Sequence, residues 1–121
     1  MREKVIAVTL LIIIPIAVAL NTLLLTKQID ETIDAVTAIE IDKGEAKNEA
    51  ERIFDDFTRK ESFLSLTVSH DDLTNVEDCF TEMIGYLSVG DANNAEVMRN
   101  RLIHSLEHLR RLSGLNIDAI F

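Results

Sequence analysis

Cysteine is nearly missing from this sequence. Cys79 is the only one, so no intrachain disulfide can staple the fold, and the chain relies on an apolar core or on partners. Lying at the edge of an apolar helical stripe, Cys79 itself reads as a small packed residue. Proline is as scarce: none follows Pro15, and glycine occurs only at 44, 85, 90 and 114. With so few breakers and little strand-like alternation, the pattern is helical nearly throughout. Positive charge is in deficit, with 12 Lys and Arg against 21 Asp and Glu. Setting aside Arg2, Lys4, Lys27 and Glu3 leaves 9 basic and 20 acidic residues over 28–121, a net charge of −11. Such a surface gains nothing from counterion release on nucleic acid and is repelled by anionic head groups. Nucleic-acid binding and peripheral lipid binding are therefore excluded as main roles. No nucleophile elbow, phosphate-cradling loop or Cys-x-x-Cys pair occurs, and the acidic clusters Glu51/Asp55/Asp56 and Asp71/Asp72 lack the alternating ligands of a calcium loop.

What the chain does have is one long hydrophobic run. Val5–Leu25 carries no charge and is bounded by Lys4 and Lys27. A helix needs about 20 apolar residues, at about 1.5 Å each, to cross a hydrocarbon core roughly 30 Å thick. The run therefore predicts a transmembrane helix over 5–25, preceded by a short cytoplasmic N-terminus (1–4) and followed by an acidic extracytoplasmic helical domain (28–121). The orientation follows from Arg2 and Lys4 ahead of the run, against one basic residue and then Asp30, Glu31 and Asp34 behind it. The alternative is a signal peptide cleaved after Ala19, in the A-x-A site Ala17-Val18-Ala19. Continuation of the run through Leu23, Leu24 and Leu25 favours the anchor, and both outcomes place the rest outside the cytoplasm. Pro15 reads as a mild kink that a membrane helix tolerates.

Beyond the run, Ile29, Ile33, Val36 and Ile39 recur at spacings of four and three with no breaker before them, so the spanning helix is expected to continue as one rod from Lys4 to about Asp42. Three more stripes follow: Ala46, Ala50, Ile53, Phe54, Phe57, Leu64 and Val68; Leu73, Val76, Phe80, Met83, Ile84 and Leu87; and Ala95, Met98, Leu102, Leu106 and Leu109. Gly44 and Gly90 suit the left-handed residue that ends a helix, with Glu45 and Asp91 at the positive end of the next one. Ser69 or Asp71 is the expected N-cap of the third stripe. Short connections force antiparallel neighbours, so the fold class is all-α: an N-terminal transmembrane helix and a small antiparallel bundle of four helices, built as two helical hairpins. Gly44-Glu45-Ala46-Lys47-Asn48 and Gly90-Asp91-Ala92-Asn93-Asn94 repeat weakly at an offset of 46 residues. The turn looks like that of tetratricopeptide hairpins, but the period is not their roughly 34 residues and their aromatic signature is missing, so the likeness is convergent turn chemistry.

One spacing has catalytic overtones. His104-Ser105-Leu106-Glu107-His108 satisfies H-x-x-E-H, in which two histidines one helical turn apart could ligate zinc beside a glutamate base. A further protein ligand and a large supporting domain are lacking, and on a helical wheel both histidines point away from the Met98, Leu102, Leu109 stripe. A solvated face near a helix end, where histidine and Arg110 and Arg111 suit the dipole, is the preferred reading. No catalytic, cofactor-binding or metal-ligating residue is assigned, and no cofactor is expected.

In their order and spacing, the apolar N-terminal segment, the Gly44–Ala46 turn, His70-Asp71-Asp72-Leu73 with Val76-Glu77, the Gly90–Ala92 turn, His108 and the closing Ile120-Phe121 resemble the small bacterial family catalogued as domain of unknown function 4363. The resemblance implies a single-pass, externally displayed helical protein with no assigned activity. Its members often carry Asn before the terminal Ile-Phe, where this chain has Ala119. Leu115, Ile117, Ile120 and Phe121 are expected to fold back onto the bundle after a break at Gly114, the alternative being a docking strip for a partner. The expected function is non-catalytic: a membrane-anchored module that binds another protein, not an enzyme. The competing reading is a metal-binding protein or metal-dependent hydrolase using His104, Glu107 and His108.

Overall fold

In the computed structural model the backbone is described for residues 1–64 and 69–120, and side chains for all of these except Thr22, 61–64 and 113–120. It forms four α-helices: α1 (Arg2–Thr37), α2 (Ala46–Leu64), α3 (His70–Ser88) and α4 (Ala92–Ile120). The apolar run and the first stripe of the domain are one helix, as the lack of a breaker predicted. Pro15 lies inside α1 without ending it, although its missing N–H leaves the carbonyl of Leu11 without an intrahelical donor.

The stripes become the core. Leu25, Ile29 and Val36 of α1, Ala46, Ala50 and Phe57 of α2, Leu73, Val76, Phe80 and Met83 of α3, and Ala95, Met98, Leu102, Leu106 and Leu109 of α4 are all buried, with Cys79 among them. Ile33, Ile53, Phe54, Ile84 and Leu87 are half-buried around them. The side chains of Leu64 and Val68, expected in the second stripe, lie outside the described residues. Phe80 is the aromatic centre: fully buried, with ring centroids 5.0 Å from Phe54 and 5.8 Å from Phe57. The helices close a ring in which α1 meets α2 and α4, and α3 meets α2 and α4; among the described residues the backbones of the diagonal pairs stay more than 8 Å apart. Arg110 Nε lies 2.7 Å from Asp30 Oδ1, and Arg99 Nη1 donates to the Ile39 carbonyl at 2.7 Å. Sequence number thus falls along α4 as it rises along α1. The ion pairs between sequence neighbours, such as Arg59 with Asp56 and Lys43 with Glu40, lie on exposed surface and contribute little.

Three expected boundaries are corrected. First, α1 ends at Thr37 and not near Asp42: the last turn tightens, Ile39 N–H donating to Val36 O, and Ile39 swings in to be buried at the end of the bundle. Arg99 satisfies the carbonyl this exposes. Second, Gly44 is not a left-handed terminator; it lies in the turn before α2, and the described residue with positive φ is Gly90, at 75°. Third, α4 does not break at Gly114 but runs on to Ile120, so the fold-back of the tail is not seen; side-chain packing of Leu115, Ile117 and Ile120, and all of Phe121, lie outside the described residues. Ser69 is the N-cap of α3. Its hydroxyl accepts from the Asp72 N–H at 3.2 Å and donates to Asp72 Oδ2 at 2.6 Å, while Asp71 stands inside the first turn. Asp91 caps α4 by accepting from the Asn94 N–H at 3.2 Å.

Two glycine-to-alanine changes are expected to have opposite signs. Gly90→Ala forces a Cβ into the left-handed region and costs about 1–2 kcal/mol, whereas Gly85 sits in the interior of α3 with nothing within 4 Å of a Cβ, so Gly85→Ala gains about 0.5–1 kcal/mol. Thermal melting of the two single variants checks this, and shifts in the same direction would refute it.

Candidate functional site

Burial divides α1 sharply. Leu11 is 72% exposed and Leu24 60%, but Leu25 is 1% exposed and Ile29 1%. The lower part of the helix presents Val5, Ile6, Val8, Leu10 to Ile14, Ile16, Leu20, Leu23 and Leu24 to its surroundings, a contiguous apolar surface of the kind that marks contact with a membrane or another protein. Among the described residues α1 is the one helix long and apolar enough to cross a membrane. The bundle begins where the run ends.

The H-x-x-E-H residues do not converge. His104, Glu107 and His108 are all exposed on α4. His108 turns to α3, its Nε2 lying 3.5 Å from Asp72 Oδ1, whereas His104 borders a cleft one turn away. Among the described residues no group of three His, Cys, Asp or Glu side chains is placed to hold a metal ion.

That cleft, of ≈ 410 Å³, opens between α3 and α4 and was not legible in the sequence. Asn75, Asp78, Cys79 and Glu82 form one wall, and Met98, Arg101, His104 and Ser105 the other. Asn75 Nδ2 donates to Ser105 Oγ at 3.0 Å, and Cys79 Sγ lies 3.9 Å from the same oxygen. Burial pushes the Cys79 thiol above its ordinary range; Glu82 and Asp78 push the same way, against the Ser105 hydrogen bond and Arg101. An activated nucleophile needs the reverse, a thiolate favoured by positive surroundings. The cleft is open to water and lined by charges of both signs, Asp78 and Glu82 facing Arg101.

A reactivity measurement follows from this burial. Cys79 is expected to react with iodoacetamide at pH 8 several-fold more slowly in the folded protein than in denaturant. The sign for stability also follows: an acid with a raised folded pKa loses its proton first in the unfolded chain, so its contribution is intact below the ordinary thiol range and falls as pH rises through it. Equal alkylation rates in the two states would show the thiol to be free.

At the opposite end from the apolar run, the two glycine turns meet: Gly44, Ala46, Gly90 and Ala92 line one hollow of ≈ 250 Å³ with Leu87. The weak repeat thus places both turns at one end of the bundle. Ile41, Asp42, Lys43 and Lys47 complete the lining of the hollow. Comparison of the chain with protein-family models, curated proteins and solved structures gives no match.

Proposed function

We propose that this chain is a single-pass membrane protein of the cell surface whose acidic helical domain stands outside the cytoplasm and works by binding another protein, without catalysis. The observation that carries the reading is the continuity of α1, whose apolar run is largely exposed below Leu25 and whose stripe Leu25, Ile29 and Val36 is buried in the bundle above. Anchor and domain are one rigid piece, with no Ser/Gly-rich linker to let the domain roam. Arg2 and Lys4 ahead of the run support a cytoplasmic N-terminus, and the resemblance to the domain of unknown function 4363 family fits the same plan. An antiparallel arrangement of all four helices belongs to this reading.

The test has three arms on the full chain. The protein is expected to stay with membranes through alkaline carbonate, a tag after Phe121 is expected to be digested by protease added to intact cells, and photo-crosslinkers on the domain are expected to yield a discrete protein adduct. Release by carbonate or a protected tag removes the topology. The competing metalloprotein reading predicts stoichiometric zinc in the purified protein and a melting temperature that chelator lowers; the interaction reading predicts neither.

A further inference from the structure

The extra length of α4 points to a second contact with the bilayer. Asp30 meets Arg110 and Ile39 meets Arg99, so moving down α1 is moving up in number along α4. From Arg110 the helix continues about ten residues to Ile120, which carries it ~15 Å further and level with about residue 20 of α1. That level is inside the apolar run. The same register sets Lys27 within about one turn of Arg111, and these are the last basic residues before each helix turns apolar: between Leu112 and Ile120 the only charge is Asp118. Below that height α1 carries no charge as far as Val5, and α4 carries Leu112, Leu115, Ile117 and Ile120 among Ser113, Asn116 and Asp118. Exposure on α1 agrees, for Pro15, Val18, Ala19 and Asn21 are half-buried while Leu20, Leu23 and Leu24 are exposed, leaving one side of the run partly covered well below Leu25.

We infer that the last turns of α4, Leu112 to Ile120, run down beside α1 into the outer lipid interface, so that the bundle is seated in the bilayer by two helices and not one. The inference rests on the anchor reading given above. Residues level with 18–20 lie ~8–10 Å below the upper end of the run, which matches the ~5–10 Å to which interfacial apolar segments enter the acyl boundary. The occupant is uncharged acyl chain and zwitterionic head group; the acidic surface of the domain stands above this height except for Asp118, which the register sets level with about residue 22 of α1, at the head groups.

Because the chain contains no tryptophan, single Trp variants of the full chain in phosphatidylcholine vesicles report position directly. Ile120→Trp is expected to emit to the blue of Val97→Trp, which sits exposed on α4, and to be quenched several-fold more by lipids brominated near the head of the acyl chain. Leu11→Trp is expected to be quenched most by deep bromines. Blue-shifted but unquenched emission from Ile120→Trp places the tail inside protein and overturns the inference, as does emission matching Val97→Trp. If Leu11→Trp is also unquenched, the anchor itself fails; if Leu11→Trp is quenched and Ile120→Trp is not, only the second seat fails.

Discussion

Arginine at both Ile12 and Ile13 is expected to release the protein from carbonate-washed membranes, whereas either single change leaves most of it bound. On insertion scales Val, Ile and Leu contribute about −0.3 to −0.6 kcal/mol each and arginine at the helix centre about +2.5 to +3.5. The fourteen Val, Ile and Leu residues of Val5–Leu25 therefore favour insertion by about 4–8 kcal/mol, and each Ile→Arg removes about 3–4. One replacement leaves a margin, helped by snorkelling; two cancel it. Ile12 and Ile13 are exposed, 56% and 53%, so the domain should melt as before, which separates lost anchoring from lost folding. A double variant that resists carbonate would mean that the run is held by protein and not by lipid.

Phe80→Ala is expected to cost about 3–5 kcal/mol, the range for emptying a buried aromatic site. Phe80 is fully buried on α3 and faces Phe54 and Phe57 of α2, and α2 makes the thinner of the contacts in the ring, so little else ties it down. For a domain of this size each kcal/mol moves the melting midpoint by about 4–8 °C, giving a fall of roughly 15–25 °C or more. Against a total of about 5–15 kcal/mol this brings the domain close to unfolding at 37 °C. Far-UV circular dichroism of the full chain in detergent resolves the transition, with α1 below Leu25 as a constant background. A fall equivalent to less than about 1 kcal/mol would show that the rings do not pack.

The stripes were legible because a 3.6-residue period survives in sequence wherever one face is buried, and Leu73, Val76, Phe80 and Met83 on α3 and Ala95, Met98, Leu102, Leu106 and Leu109 on α4 are buried. Capping was legible in part where the side chain itself does the work: Ser69, one of two candidates, caps α3, and Asp91, expected only as a charge suited to the helix dipole, caps α4. Ends set by distant groups were not. The stop of α1 at Thr37 depends on Ile39 finding a pocket and on Arg99, sixty positions away, reaching its carbonyl; neither leaves a local mark. Gly114 misled for the reverse reason, since glycine only weakens a helix by about 1 kcal/mol and its surroundings decide. The α3–α4 cleft was hidden because Asn75 and Ser105 are thirty residues apart, and the H-x-x-E-H spacing was visible but uninformative, as His104 and His108 serve different surroundings.

Pro15 stands about 22 residues below the top of α1, a lever of ~33 Å with no joint between. A bend of about 20° at that proline, the size at which helix kinks count as sharp, would sweep the turns at the far end through ~11 Å. Under the anchor reading proposed above, thickness or curvature of the surrounding lipid would become a lateral displacement at the tip.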